Sequence, residues 1–98
     1  MLMPVNASAT WPHVLAVDDD PSIRGLLAEY LGDNELRVSA VATGAECMSI
    51  IARETVDLVV LDIRLQQGED GLAIARRLRE SSATIPILML TGRAEEAD

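Results

Sequence analysis

Lysine and phenylalanine are missing altogether from this 98-residue sequence, and tryptophan, tyrosine, cysteine and histidine occur once each. Without lysine there is no amine for a Schiff base and no ammonium for any site; all eight basic residues are arginines. One cysteine and one histidine exclude a disulfide framework, a Cys/His zinc site and a Cys-His nucleophile pair with a spare member, and they point to a reducing cytoplasm. With so few aromatic rings the core must be aliphatic, and 49% apolar residues supply it. Positive charge is scarce. Sixteen acids against eight bases give a net charge of -8, the wrong sign for gripping a phosphate backbone, so direct nucleic-acid binding by this chain is not expected. No apolar run approaches the roughly 20 residues of a membrane span, so a soluble, cytoplasmic protein is expected. Residues 1–12 have neither the basic nor the sustained apolar region of a signal peptide, and Pro4 and Pro12 interrupt them. They read as a disordered leader. Asn6-Ala7-Ser8 matches a glycosylation acceptor, a triplet common by chance. No repeat or low-complexity tract divides residues 13–98, which form one domain or part of one.

From His13 onward the hydrophobic period alternates between short continuous runs and helical spacing, the pattern of a parallel sheet covered by helices. His13 to Val17 is an apolar strand running into acids. Ile23, Leu26, Leu27, Tyr30 and Leu31 then fall on one helix face. Leu36 to Ala42 is a second strand, and Thr43-Gly44-Ala45-Glu46 has the spacing of a capping box that opens a helix through Glu54. Leu58 to Leu61, bounded by Asp57 and Asp62, is too short for a helix and rich in valine, hence a buried central strand. A glycine-bearing loop, Ile63 to Asp70, leads to a third helix from Gly71 to Glu80 with Ile74, Ala75 and Leu78 inward. Ile87 to Leu90 is the fourth strand, and residues 94–98 read as the opening turn of another helix.

Open α/β sheets bind ligands at the carboxyl ends of their strands. Strand one runs into Asp18-Asp19-Asp20, strand three ends at Asp62 and strand four at Thr91. If strands one and three are neighbours, these acids meet in one crevice. Clustered carboxylates repel one another, so they either raise their pKa values or hold a hard divalent cation; all-oxygen ligation suits magnesium, Mg²⁺. Asp20 has a simpler account, as a helix N-cap followed by Pro21 at the first helical position. Asp18 and Asp19 read alternatively as solvated loop acids, but two carboxylates placed directly after an apolar strand and facing a third favour a site.

These residues resemble the response-regulator receiver domains of two-component signalling, over His13 to Asp98. Val14 to Pro21 looks like the family's first strand and acidic pocket, and Asp57 to Asp62 like the strand carrying its phosphoacceptor. Glu69 to Leu72 with Arg76, Arg77 and Leu78 is similar to its third-helix opening, and Ile85 to Arg93 to its fourth strand and hydroxyl residue. Each piece is weak alone; their order and spacing, with 43 positions from Asp19 to Asp62, are specific together. The resemblance implies a flavodoxin-like, doubly wound parallel sheet, with four strands present of the usual five. It implies that Asp62 takes a phosphoryl group from a sensor histidine kinase. It also implies that Asp19 binds Mg²⁺ directly, Asp18 holds a metal-bound water, and the backbone carbonyl of Arg64 completes the metal set with Asp62. Thr91 would hydrogen-bond a phosphoryl oxygen, Gly92 would leave it accessible, and Arg64 and Arg93 would flank it.

Two departures accompany the resemblance. The loop Ile63-Arg64-Leu65-Gln66-Gln67-Gly68 is one residue longer than the family pattern and lacks its proline. The sequence also has no counterpart of the family's fifth strand, the lysine after it, or its fifth helix. Residues 13–98 are therefore expected to be a receiver domain lacking its C-terminal strand and helices. The edge of strand four is expected to be exposed, which favours a fragment of a longer regulator or a homo-oligomer formed through that edge. A C-terminal DNA-binding output domain is the commonest companion of receivers with this wording. The chain is expected to accept phosphoryl groups without turnover. Two alternatives remain: a receiver-like interaction module that is not phosphorylated, and a haloacid-dehalogenase-type phosphohydrolase, whose D-x-D-x-[TV] opening Asp18-x-Asp20-x-Ser22 loosely fits with Asp18 as nucleophile. The missing lysine and the idle Asp62 count against the latter.

Overall fold

A computed structural model describes residues 11–63, 65, 70–81 and 84–90. The elements follow in the order β1 (His13–Val17), α1 (Pro21–Gly32), β2 (Arg37–Val41), α2 (Gly44–Arg53), β3 (Leu58–Asp62), α3 (Gly71–Ser81) and β4 (Ile87–Leu90). All strand pairs are parallel and the order is β2-β1-β3-β4, the first four places of the flavodoxin-like sheet. No helix among the described residues is long and apolar enough to cross a membrane.

The apolar runs are continuous because both faces of the central strands are covered. Leu15 and Val17 of β1 join Val59 and Leu61 of β3 on one face, packed with Cys47 and Ile50 of α2, Ile74 and Leu78 of α3, and Val56 and Leu65. Val14, Ala16 and Val60 point to the other face, where Leu27 and Leu31 of α1 pack on them. This is the period-two alternation of a strand, hidden in the sequence because inward residues lie on both sides.

Caps fix the helix starts. The Asp20 side chain accepts from the Ser22 amide at 2.8 Å, with Pro21 in the first turn, as expected from sequence. Thr43 Oγ1 accepts from the Glu46 amide at 3.2 Å, and the Glu46 carboxylate reaches back to accept from the backbone at Thr43, as in a capping box, and from the Ala42 amide before it at 3.0 Å. That Ala42 bond is the main cause holding the Glu46 carboxyl below its ordinary value.

The α1 face differs from the expectation. Leu27 and Leu31 pack on the sheet, whereas Leu26 is 62% and Tyr30 67% exposed. The five apolar positions spread over about 140° at 100° per residue. The helix rests on the sheet through only the part of that arc bearing Leu27 and Leu31. In β4, Ile87 and Met89 pack toward one core and Leu90 toward the other. Leu88 is 52% exposed on a strand that is the sheet edge among the described residues.

The amino edge of the sheet is tied by His13. Its buried ring donates from Nδ1 to the Thr55 carbonyl at 2.9 Å and takes the Ser39 hydroxyl at Nε2 at 2.7 Å. A carbonyl only accepts, which fixes this tautomer for the neutral ring. Asp57 meets both backbone groups of the same residue: its Oδ2 accepts from the His13 amide, and its amide donates to the His13 carbonyl, each at 2.8 Å.

Candidate functional site

Strand register assembles the site. Val17 pairs with Val41 on one side and Leu61 on the other, so Asp18 and Asp62 are the next residues on adjacent strands, at one level. One carboxylate oxygen from each of Asp18, Asp19 and Asp62 lies within 4.8 Å of the others. Asp18 is 7% and Asp62 5% exposed, and Asp19 is half-buried. Asp20 is not in this group and caps α1 instead.

Asp18 is held at several atoms. Its amide donates to the Val41 carbonyl at 3.0 Å, its carbonyl accepts from Arg24 Nη1 at 2.9 Å, and its Oδ1 accepts from the Asp20 amide at 2.9 Å. Burial raises the Asp18 carboxyl above its ordinary value; the Asp20 amide works against this, and the charges of Asp62, Asp19 and Asp20 add to it.

The donor set suits a hard divalent cation. Opposite oxygens around Mg²⁺ stand about 4.2 Å apart, twice a bond of about 2.1 Å. Adjacent oxygens stand about 3.0 Å apart in the same geometry, and the three carboxylates, all within 4.8 Å of one another, come near enough to converge on one ion. A cation would also offset the mutual repulsion that the Asp18 carboxyl registers. Of the other residues expected at the site, Arg64, Thr91, Gly92 and Arg93 lie outside the described residues, as do residues 1–10 of the expected leader and the expected helical turn at 94–98. β4 does bring Leu90 alongside Asp62, and the Leu90 carbonyl accepts from the Ile63 amide at 3.1 Å.

Two residues at the site had no part in the sequence argument for it. Gly71 opens α3 directly against the end of β3, its amide donating to the Ile63 carbonyl at 2.8 Å. A Cβ there would overlap the Asp62 carbonyl oxygen and stand 2.9 Å from Ile63 Cα, so only glycine lets the helix begin this close to Asp62. Its signal was Asp70-Gly71 at a helix start after an acid-ended strand. Arg24 sits early in α1, where the helix dipole disfavours a cation. An arginine in that turn was the available hint that it bonds something nearby.

Three comparisons agree with the fold. The family model for the response regulator receiver domain matches residues 14–98. The chain is 45% identical over 87 residues to the regulatory protein VirG of Agrobacterium fabrum, covering 88% of this chain and 34% of VirG. It is 46% identical over 88 residues to the protein PetR of Rhodobacter capsulatus, covering 90% of this chain and 36% of PetR. It thus spans about a third of the length of these curated relatives. Among solved structures, it superposes with a TM-score of 0.76 and 33% identity on a chain from the complex of the histidine kinase ThkA with the response regulator protein TrrA, covering 83% of this chain and 69% of that one. The chain belongs to the response regulator receiver domain family.

Proposed function

We propose that Asp62 is the phosphoacceptor of this receiver and that the carboxylates of Asp18, Asp19 and Asp62, with the Arg64 carbonyl, hold Mg²⁺. The observation that carries this reading is the meeting of three carboxylates, two of them buried, at the carboxyl ends of adjacent strands. A carboxylate oxygen of Asp62 attacks the phosphorus of a phosphohistidine on a sensor kinase. The P–O bond of an acyl phosphate forms as the P–N bond breaks, and the histidine, protonated on its other ring nitrogen, takes the P–N electron pair and leaves as the neutral imidazole. The bound cation would neutralise charge on the transferring oxygens. The protein's own part is positional. The β1–β3 register sets Asp62 beside Asp18, the bonds around Asp18 set its orientation, and Gly71 leaves the end of β3 unobstructed. Thr91, next along the chain from the residue paired with Asp62, would donate to a phosphoryl oxygen. A kinase partner is supported by the similarity to the ThkA–TrrA complex. The reaction is stoichiometric, one phosphoryl group per chain in the cytoplasm, and the acyl phosphate would act on an output domain, a DNA-binding one by resemblance, in a longer regulator of the relatives' length.

The test is mass spectrometry after incubation with acetyl phosphate and Mg²⁺. A single adduct on Asp62, lost in Asp62→Ala, is expected. An adduct on Asp18 would favour the phosphohydrolase reading. No adduct with Mg²⁺ still bound would identify an interaction module. As a separate proposal, the isolated 98-residue chain self-associates through β4, where exposed Leu88 and the apolar floor of a groove, Leu72, Ala75, Ile87 and Met89 beside the charged Arg76, Arg79 and Glu80, are uncovered among the described residues.

A further inference from the structure

The peptide groups on either side of Asp19 are both held by side chains, and one of these bonds comes from a residue outside the acidic cluster. On the amino side, the carbonyl of Asp18 accepts from Arg24 Nη1 at 2.9 Å. On the carboxyl side, the amide of Asp20 donates to Asp18 Oδ1 at 2.9 Å. Peptide units are planar, so holding one atom of each unit restricts the two soft dihedrals of the residue between them. The direction of the Asp19 Cα–Cβ bond follows from those dihedrals. One residue further back, the Asp18 amide is already fixed by the Val41 carbonyl. Arg24 therefore constrains the first peptide beyond the reach of the sheet ladder.

We propose that Arg24 is a positioning residue for the divalent cation, acting through the Asp18 carbonyl to aim the Asp19 carboxylate at Asp18 and Asp62. This rests on the cation-binding reading of the cluster. A guanidinium beside a cation site also repels the cation, and the geometry indicates why the positioning effect prevails. Arg24 lies close enough to the Glu46 carboxylate for its charge to help lower the Glu46 carboxyl, so its own charge has an anionic neighbour. The hydrogen bond to the carbonyl is charge-assisted and directional, the stronger class of such bonds. Glu46 in turn accepts from the Ala42 amide at 3.0 Å. Arg24 and Glu46 thus bind the backbone of the two loops that leave β1 and β2, one at the Asp18 carbonyl and the other at the Ala42 amide.

Calorimetric titration of Mg²⁺ into the wild-type chain, Arg24→Ala, Arg24→Lys, Asp19→Asn and Asp20→Asn tests this. Arg24→Ala is expected to weaken binding about 5- to 10-fold, the size of one partly transmitted hydrogen bond. Arg24→Lys, which keeps a cationic donor, should recover at least half of that loss. Asp19→Asn should lose far more, and Asp20→Asn little. In the labelling of Asp62 by acetyl phosphate, the Mg²⁺ midpoint of Arg24→Ala should rise by the same factor, about 5- to 10-fold, and that of Arg24→Lys by less than half as much. If Arg24→Ala does not fold, Arg24→Met, which keeps the aliphatic stem, takes its place. Unchanged or tighter binding in the variant that folds, or no recovery with lysine, overturns the role of Arg24 while leaving the cation site standing. Absence of Mg²⁺ binding by the wild-type chain overturns the site reading itself, and the role of Arg24 with it.

Discussion

Replacing Asp18 by asparagine should stabilise the metal-free protein. Two unit charges 4.8 Å apart, the outer limit of the Asp18–Asp19–Asp62 cluster, repel by about 0.9 kcal/mol at the dielectric of water and about 3.5 kcal/mol at an effective value of 20. Asparagine removes that repulsion and keeps an oxygen to accept the Asp20 amide, so the bond at 2.9 Å survives. The expected gain is about 1 to 3 kcal/mol, and each kcal/mol raises the melting temperature of a domain this small by about 4 to 8 °C. Mg²⁺ should reverse the ranking. At 1,000 times its dissociation constant it stabilises the wild-type chain by about 4.1 kcal/mol, whereas the variant has lost part of the site. The effect also depends on pH. The native state holds the Asp18 proton more tightly than the unfolded chain does, because burial and neighbouring carboxylates raise it. The wild-type chain is therefore relatively most stable in acid and loses this contribution as pH rises through the titration of Asp18. The gap between variant and wild type should open over the same range. Thermal melts in a chelator and in Mg²⁺, at several pH values, measure all of this. A variant that melts at or below the wild type in the chelator near neutral pH, or a gap that ignores pH, would refute the reasoning.

Gly71→Ala should lower stability by about 1 to 3 kcal/mol, the usual cost of forcing an extra carbon into a filled space, because its Cβ would overlap the Asp62 carbonyl. Alanine would otherwise favour a helix by up to about 1 kcal/mol, so a higher melting temperature would contradict the close approach of α3 to β3. Light scattering of the 98-residue chain should show species larger than a monomer, and Leu88→Arg, placing charge at the exposed position of β4, should dissolve them. A concentration-independent, cooperative melt of a monomer would rule out association through this edge.

Much of the fold was legible because acids and prolines punctuate the strands. The bounds of β1 and β4 coincide with the apolar runs His13–Val17 and Ile87–Leu90, and β3 extends one residue further, to Asp62 itself. Asp18 and Asp62 were legible for the same reason: each follows an apolar run directly, and the parallel register turns that shared place in sequence into proximity. What was not legible depends on distances between elements. The face that α1 presents is chosen by how the helix lies on the sheet, which hydrophobic spacing alone leaves open over a wide arc. The need for glycine at 71 arises only once α3 starts against the end of β3. His13 entered the sequence argument only through what a single histidine cannot do, and a lone ring at the start of a strand has no period to reveal its partners. The expected roles of Arg64 and Thr91 fall outside the described residues.

The ties around His13 also bear on the opposite end of the sheet. They join β1 to Ser39 on β2 and to Thr55 and Asp57 ahead of β3, at the end of the sheet farthest from the acids. A strand that slipped by one residue would move about 3.3 Å and turn its side chains to the opposite face; here it would also have to pull a buried imidazole off two partners. The sheet therefore behaves as a clasp riveted at one end. With the strands held in register there, Asp18 and Asp62 stay at one level on adjacent strands, a fixed frame for whatever the acids hold.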